Sequence, residues 1–273
     1  SGVKTIEVNI RRDDNHYWRV SDSSWTMVSE VWNSTSSLGG GVWQLELSTI
    51  PWADGRTYYI RARAYDNVIP TPNSAVTQEK VFIYDISLPT ATVKLPLHNS
   101  IMSSLPTVSG TANDWPSAGN LENVEVQLFA NTGIRAGQYY RAVPVGWTYS
   151  VTWNTSTAYN LNNSSWTFAM PALENEALYT LAARARDRAG NQQTVYSVPA
   201  SSINFRYDNQ GPSLTITYPN APAINPPEAF NLMGQLTDNL AGASTVYLQL
   251  TRLVAGDTYY WGGTSWSSGT VIT

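Results

Sequence analysis

The chain has 273 residues, a formal net charge of −4, no cysteine and a charged fraction of only 13%. The absence of cysteine excludes a disulfide framework, a thiolate metal site and a cysteine nucleophile, and no basic run offers an electrostatic footprint for nucleic acid or an anionic membrane. No apolar run approaches the roughly 18 residues that a membrane-spanning helix needs.

Two motifs recur at the spacing of a whole domain. The sequence YYIRARAYD at 58–66 returns as YTLAARARD at 179–187, and YDISLPT at 84–90 returns as YDNQGPS at 207–213. A period of about 122 residues is too long for a solenoid turn and typical of a tandem domain. The sequence predicts a C-terminal portion of a repeat, a complete repeat and an N-terminal portion of a repeat, at 1–85, 86–208 and 209–273.

Two interpretations of the partial copies stay open. The chain is a window onto a longer array, or neighbouring subunits complement each other's open sandwiches through strand edges. The two portions, about 85 and about 65 residues, exceed one repeat by nearly 30 residues, which favours the first interpretation because neat complementation would not duplicate a strand.

The first elements of each repeat are predicted strands. Residues 91–95, 105–114 and 124–128 of the complete copy alternate apolar and polar side chains, the pattern of a half-buried strand. The same blocks return at 214–218, 230–238 and 246–250, whereas the first copy begins with the third block, at 6–10.

A stretch marked by aromatic pairs follows in each copy. Gly, Ser and Asn between paired aromatics predict a β-hairpin with one aromatic on each arm. We expect hairpin packing for these tryptophans, and the alternative is contact with a glycan or a neighbouring subunit. The candidates for such contact are Trp18, Trp25, Trp147, Trp261 and Trp266.

The penultimate strand of each repeat has a face of small residues. At 58–66, Ile60, Ala62 and Ala64 share one face, and Arg61 and Arg63 share the other. Small inward residues leave room for a large partner, and one aromatic side chain buries about 150–250 Å². We expect the tryptophans of the preceding strand, Trp43 and Trp166, to fill that space.

Tyr58 and Tyr179 begin this penultimate strand. That is the place of a tyrosine corner, in which the hydroxyl bonds to backbone a few residues upstream. Seven or more short strands in about 120 residues, with turn signals and no helical period, predict an all-β fold of tandem β-sandwiches.

The order of these motifs resembles bacterial immunoglobulin-like repeats. The order is an aromatic pair, WN[ST], YxΦxARAxD with Φ as Ile or Leu, and a closing YD. The turn DRAGN at 187–191 fits that class, and the first copy departs from it with DNVIP at 66–70. The resemblance covers essentially the whole chain. It implies an immunoglobulin-like fold in a large surface, adhesin-like or filament-forming protein.

The sequence offers no catalytic constellation. The two histidines, His16 and His98, lie in polar loops at positions that are not equivalent in the repeats. No carboxylate pair recurs between copies, and there is no phosphate-binding loop, dinucleotide fingerprint or zinc spacing. We therefore expect a protein that is not an enzyme, has no catalytic residues and needs no cofactor.

Calcium is a weak candidate ligand. Five aspartates lie at strand ends near the domain junctions, where oxygen ligands rigidify a linker: Asp66, Asp85, Asp187, Asp208 and Asp238. Asp66, Asp187 and Asp208 are the calcium candidates, although capping of turns is the favoured interpretation. The sequence has four Asn-x-Ser/Thr sequons, at Asn33, Asn154, Asn162 and Asn163, and the candidates for glycosylation are Asn33, Asn154 and Asn163.

These observations favour a non-enzymatic structural protein of a bacterial cell surface or extracellular filament. Its expected partner is itself, through neighbouring repeats or subunits, with glycans as a second possibility and no nucleic acid or membrane span. The short linkers contain proline, so we expect an extended, semi-rigid array. The alternative is a carbohydrate-binding or spacer region of a secreted polysaccharide-degrading enzyme.

Overall fold

A computed structural model describes residues 2–27, 29–115, 120–160, 164–225 and 231–268. Every regular element in these ranges is a β-strand, and the predicted all-β class is confirmed. These ranges include no helix of the length and hydrophobicity that a membrane crossing needs. We call residues 2–85 the first segment, 86–208 the middle segment and 209–268 the last segment.

The first segment contains one seven-stranded sheet and one two-stranded sheet. The larger sheet has the order β3-β2-β1-β7-β8, with β4 on β1 and β9 on β7, and the smaller one pairs β5 with β6. The strands are β1 (Val3–Arg12), β2 (Tyr17–Arg19), β3 (Ser24–Thr26), β4 (Asn33–Ser34), β5 (Ser36–Gly39), β6 (Val42–Gln44), β7 (Thr57–Asp66), β8 (Ser74–Val76) and β9 (Lys80–Ile83).

The middle segment contains two sheets that share one core. The strands are β10 (Thr90–Leu95), β11 (Ser100–Met102), β12 (Thr107–Asn113), β13 (Leu121–Ala130), β14 (Tyr139–Ala142), β15 (Val145–Thr148), β16 (Asn154–Thr155), β17 (Ala158–Asn160), β18 (Ser165–Ala169), β19 (Leu178–Asp187) and β20 (Ser202–Tyr207). One sheet has the order β10-β12-β18-β17 and the other β11-β20-β19-β13-β14-β15, with β16 on β13. All pairs are antiparallel except β11 with β20, which is parallel.

The last segment has five strands in two small sheets. They are β21 (Ser213–Tyr218), β22 (Met233–Thr237), β23 (Thr251–Val254), β24 (Asp257–Trp261) and β25 (Trp266–Ser268), with β21 on β22 and the order β23-β24-β25. The predicted strand at 246–250 is wrong, because these residues carry no strand. Their counterpart in β13 pairs along β19, and the described part of the last segment has no counterpart of β19.

The core of the middle segment lies between its two sheets. Inward residues of β13 and β19 alternate with outward ones, and Val126, Leu181 and Ala183 are fully buried among them. Trp166 on β18 crosses the same core, is 1% exposed and donates its indole N–H to the carbonyls of Thr92 and Thr111 at 3.2 and 3.3 Å. This is the two-layer arrangement of a β-sandwich.

Trp166 fits because residue 110, opposite it on β12, is glycine. A Cβ at Gly110 would lie 2.6 Å from the Trp166 ring and 1.8 Å from the Thr92 carbonyl oxygen. The close approach of β12 to the indole therefore excludes any other residue.

The expectation that Trp43 fills the equivalent space is wrong, since Trp43 is 39% exposed. Its strand, β6, pairs only with β5 among the described residues. The first segment therefore has no described counterpart of β10 and β12, which supply the cover and the carbonyl acceptors of Trp166.

The predicted aromatic hairpins are confirmed in all three copies. Directly opposed residues on adjacent arms are Trp18 with Trp25, Tyr140 with Trp147, and Trp261 with Trp266. In each pair the ring centroids lie 5.3–5.6 Å apart. Such cross-strand aromatic pairs stabilise a hairpin.

Candidate metal centre

The structure corrects one candidate for glycan stacking and gives packing partners to the others. Trp18 is 0% exposed and lies in the core of the first segment, so no sugar can reach its face. Trp25 and Trp147 occupy equivalent places between the opposite hairpin arm and the corner tyrosine, at 5.7 Å from Tyr58 and 6.2 Å from Tyr179.

The last hairpin is the most open of the three. Trp261 is partly exposed, and Trp266 lies beneath the guanidinium of Arg252, 4.7 Å from the ring centroid. Trp261 is 40% exposed, whereas Trp25, Trp147 and Trp266 are half-buried, so the last hairpin has the most exposed tryptophan of the predicted set. The sugar-binding role stays a prediction.

The candidate glycosylation sites Asn33 and Asn154 are corrected, because both side chains are buried. Asn154 Nδ2 donates to the carbonyls of Val126 and Tyr140 at 3.3 and 3.0 Å, and its Oδ1 accepts from Ala142 N at 2.8 Å. Asn33 makes the same three bonds, to Val8, Trp18 and Val20. Each amide joins the aromatic hairpin to the long strand beside it, and Nδ2 has no room for a glycan. Asn163 lies outside the described residues.

The two corner tyrosines make the hydroxyl contact that defines the corner. The Tyr58 hydroxyl oxygen accepts from Ala53 N, and the Tyr179 hydroxyl oxygen accepts from Glu174 N, each at 2.9 Å and five residues upstream. Both rings are buried. These bonds fix the loop before β7 and the loop before β19, and the first of those loops touches the next segment.

The three calcium candidates have different surroundings. Asp66 is bound within its own turn by Asn73, whose N and Nδ2 both donate to it at 2.8 Å. Asp208, in the second linker, accepts from Gln210 N and Ala241 N. Asp187 alone joins a cluster of carboxylates, with Asp85 from the first linker and Asp114 from the end of β12.

The cluster of Asp85, Asp114 and Asp187 brings three acidic side chains to one point. One carboxylate oxygen from each lies within 4.8 Å of the other two. Asp187 is 0% and Asp114 5% exposed, and Asp85 is half-buried. No Lys or Arg among the described residues forms an ion pair with any of them.

The three carboxylates differ in how their oxygens are satisfied. Both oxygens of Asp187 accept from Asn191, through N and Nδ2 at 2.8 Å each. Asp85 Oδ1 accepts from Ser87 N at 3.1 Å, and Oδ2 lies 3.5 Å from Asn120 Nδ2. Neither oxygen of Asp114 has a hydrogen-bond partner, although both are buried. A buried carboxylate without a partner is costly.

Burial and repulsion between the neighbouring carboxylates also raise pKa values within the cluster. Burial raises the pKa of Asp114 to about 6, and the charges of Asp85 and Asp187 add to this shift. Burial likewise raises the pKa of Asp85, with smaller contributions from Asp187 and Asp54. The site therefore holds excess negative charge at neutral pH.

The cluster lies at the contact between the first and middle segments. Asp54 of the first segment accepts from Ile86 N at 2.8 Å and from the Ser87 hydroxyl at 2.6 Å. Trp115, next to Asp114, covers Gly55, where a Cβ would lie 2.3 Å from its Cη2. Asn191 Nδ2 also donates to the Asp85 carbonyl at 3.1 Å. Linker and middle segment are thus joined around the carboxylates.

The chemistry of this donor set is that of a hard cation. Three carboxylates without His or Cys suit Ca²⁺, Mg²⁺ or Mn²⁺ rather than zinc or copper. These carboxylates line none of five surface cavities found in the described ranges.

The sequence indicates Asp85 and Asp187 as separate junction aspartates, but it shows neither Asp114 nor the cluster that the three form. The three acids are 29 and 73 residues apart along the chain (114 − 85 and 187 − 114), so no short loop contains them. One signal is nevertheless present: Asp85 and Asp114 have counterparts in Asp208 and Asp238 at the same places of the next copy.

A scan against protein-family models finds no match, and a sequence search of curated proteins finds none either.

Proposed function

We propose that this chain is part of a non-enzymatic structural protein of a bacterial cell surface or extracellular filament. Its units are immunoglobulin-like sandwiches repeated about every 122 residues, and its principal partner is itself, through neighbouring repeats or subunits. Its role is mechanical, because each unit positions and orients the next one along the array.

One observation carries this proposal: the contacts at the two junctions repeat. At the first junction Ile86 N donates to Asp54 Oδ1 at 2.8 Å, and at the second Asn209 N donates to Asn175 Oδ1 at 2.8 Å. The preceding backbone contact also recurs, from Gly55 N to Tyr84 O at 2.8 Å and from Glu176 N to Tyr207 O at 2.7 Å. The same contacts on two short linkers favour a fixed orientation of each unit relative to the next one.

Two further features support the immunoglobulin-like part of the proposal. The middle segment has two facing sheets over one core, and Tyr179 makes the hydroxyl-to-backbone bond of a tyrosine corner. Fold alone does not establish function, and the repeated junction contacts carry more weight here than the sandwich.

Small-angle X-ray scattering of the 273-residue chain tests the array. A compact particle of this length would have a radius of gyration of about 19 Å. We expect a clearly larger value and the scattering profile of a rod, because short linkers that contain proline favour an extended array. A value near that of a compact particle would contradict the proposal.

A matched pair of variants identifies the cause of the extended shape. Asp54→Ala removes the side chain that accepts from Ile86 and Ser87, so we expect a broader distribution of maximum dimensions. Asp22→Ala removes an exposed carboxylate of the same segment, which bonds to Arg19 and Ser24 far from the junction, and should leave the profile unchanged.

A further inference from the structure

We propose that Asp85, Asp114 and Asp187 bind a divalent cation, Ca²⁺ in preference to Mg²⁺, at the junction of the first and middle segments. The inference deepens the proposed function, because a bound ion would stiffen a joint of the array. Cation binding itself is measurable without reference to that function.

The first support is the state of Asp114. Asp114 is only 5% exposed and directly follows β12. Both of its carboxylate oxygens are buried, and neither has a hydrogen-bond partner. Buried polar groups are almost always satisfied by protein, water or an ion. The two neighbouring side chains are also carboxylates, which repel Asp114 rather than satisfy it. A cation would supply the missing partner of Asp114 and offset the repulsion among the three carboxylates.

The second support is the geometry of the oxygens. Ligand oxygens of one Ca²⁺ lie no further apart than twice the ion–oxygen distance, about 4.6–5.2 Å. The three carboxylate oxygens lie within 4.8 Å of one another, so one ion can contact all of them. They come from a linker and two strand ends, an irregular arrangement that suits the flexible coordination of Ca²⁺ better than the octahedron of Mg²⁺.

The third support is the contrast with the next junction. Asp208 and Asp238 stand where Asp85 and Asp114 stand in the first junction. There Asp208 accepts from Ala241 N at 3.2 Å, and Asp238 accepts from Leu240 N at 3.3 Å and from Gly242 N. Backbone amides bond to Asp208 and to Oδ2 of Asp238, whereas among the described residues Asp114 accepts no well-formed hydrogen bond and has only the backbone amide of Trp115 nearby.

The ion would join two segments because its ligands come from both sides of the linker. Asp85 follows β9 of the first segment, and Asp114 and Asp187 belong to the middle segment. Binding would therefore restrict the linker between them, since a bound ion stabilises only the arrangement in which all ligands meet.

Titration of the EDTA-treated, re-dialysed 273-residue chain with CaCl₂ tests the site. We expect saturable heat in calorimetry and a rise in melting temperature that grows with Ca²⁺ concentration. Tb³⁺ should give luminescence sensitised by Trp115, beside Asp114, and Ca²⁺ should displace it. MgCl₂ should produce the same rise only at concentrations at least about tenfold higher.

Asp114→Asn is the decisive variant, with Asp238→Asn as its matched control at the next junction. Asp114→Asn removes a buried unpaired charge, so the calcium-free protein should remain folded with an equal or higher melting temperature. Its affinity for Ca²⁺ should fall by about 10–100-fold or more. Asp238→Asn should retain the Ca²⁺ response of the parent chain.

Absence of a saturable Ca²⁺ response in the parent chain would overturn the site, and so would an Asp114→Asn variant that binds like the parent. An equal response to Mg²⁺ would overturn the calcium assignment. Scattering in EDTA and in CaCl₂ separates this inference from the proposed function. If the particle is compact and binds Ca²⁺, the proposed array is contradicted and the cation site is retained. If the particle is extended and does not bind Ca²⁺, the cation site is contradicted and the array is retained.

Discussion

At the scale of single residues, two tryptophans at the same place in the repeat have different surroundings. Trp166 is enclosed by Gly110 and bonded to two carbonyls, whereas Trp43 lies on a two-stranded sheet and is exposed. The tryptophan is the same, and the difference lies in the strands that cover it. The sequence predicts the position of each indole but not its burial, because burial depends on residues far away in the chain.

Replacing these two tryptophans should therefore have unequal effects. Trp166→Ala should lower the free energy of unfolding of the middle segment by about 3–5 kcal/mol, since it leaves a cavity in a closed core. Trp43→Ala should cost no more than about 1 kcal/mol in the first segment. Hydrogen exchange of the amides of β13 and β19, and of β1 and β7, reports on the two segments separately. Equal losses in both would contradict the assignment of burial.

A second prediction concerns Asn154, which joins three backbone groups. Asn154→Ala leaves the carbonyls of Val126 and Tyr140 and the amide of Ala142 without their partner. Buried groups left unsatisfied cost about 1–3 kcal/mol, so exchange in β13 and β14 should accelerate. Thr155→Ala, at the exposed next residue of the same strand, is the control and should change little. Equal exchange rates in Asn154→Ala and Thr155→Ala would contradict a stabilising role for the Asn154 side-chain amide.

At the scale of elements, short-range patterns were informative and long-range pairings were not. The aromatic hairpins were predictable because the partners lie within about ten residues and turn residues separate them. The absence of a strand at 246–250 was not predictable, since the counterpart of this segment in β13 depends on pairing with β19. The carboxylate cluster combines a linker with two strand ends, and only the three-dimensional arrangement shows that these meet.

Gly55 offers a test of the joint between elements. Its φ is +75°, and Trp115 lies where a Cβ would be. Gly55→Ala adds backbone strain of about 1–2 kcal/mol and displaces Trp115, so amide exchange at Tyr84 and Ile86 should accelerate and Trp115 fluorescence should shift. Gly137→Ala is the control, because its φ is +82° but its nearest neighbour is 3.8 Å away. Gly137→Ala should add the same backbone strain but leave amide exchange at Tyr84 and Ile86 unchanged.

At the scale of the whole molecule, the acidic junction makes stability depend on pH when no cation is bound. The pKa of Asp114 in the folded chain is about 6, above its ordinary value of 3.8. The folded state therefore binds more protons than the unfolded state between these values, and the free energy of unfolding falls as pH rises through this range. Asp85, Asp187 and Asp54 face Asp114 and repel its charge.

The rise in the pKa of Asp114 from 3.8 to about 6 sets the largest possible change in the free energy of unfolding. At about 1.4 kcal/mol per pKa unit, that change is about 3 kcal/mol. Urea unfolding in EDTA at pH 4 and pH 7.5 measures it. Asp114→Asn should remove this slope. The comparison must be made as the difference between parent and variant, because the Arg12 guanidinium lowers the pKa of Asp14 and gives a contribution of opposite sign. Parallel profiles would contradict the prediction.

The parallel pair of β11 and β20 has a consequence for a chain under load. Ser100, Ile101 and Met102 lie beside Phe205, Arg206 and Tyr207 and run in the same direction. The chain enters the middle segment through β10, which belongs to the other sheet, and passes through β11 before it leaves from the end of β20. Once β10 has separated from β12, tension between the two linkers pulls β11 and β20 in opposite directions along their length. The backbone hydrogen bonds between β11 and β20 are then loaded in shear, so they share the force and must break together rather than one after another.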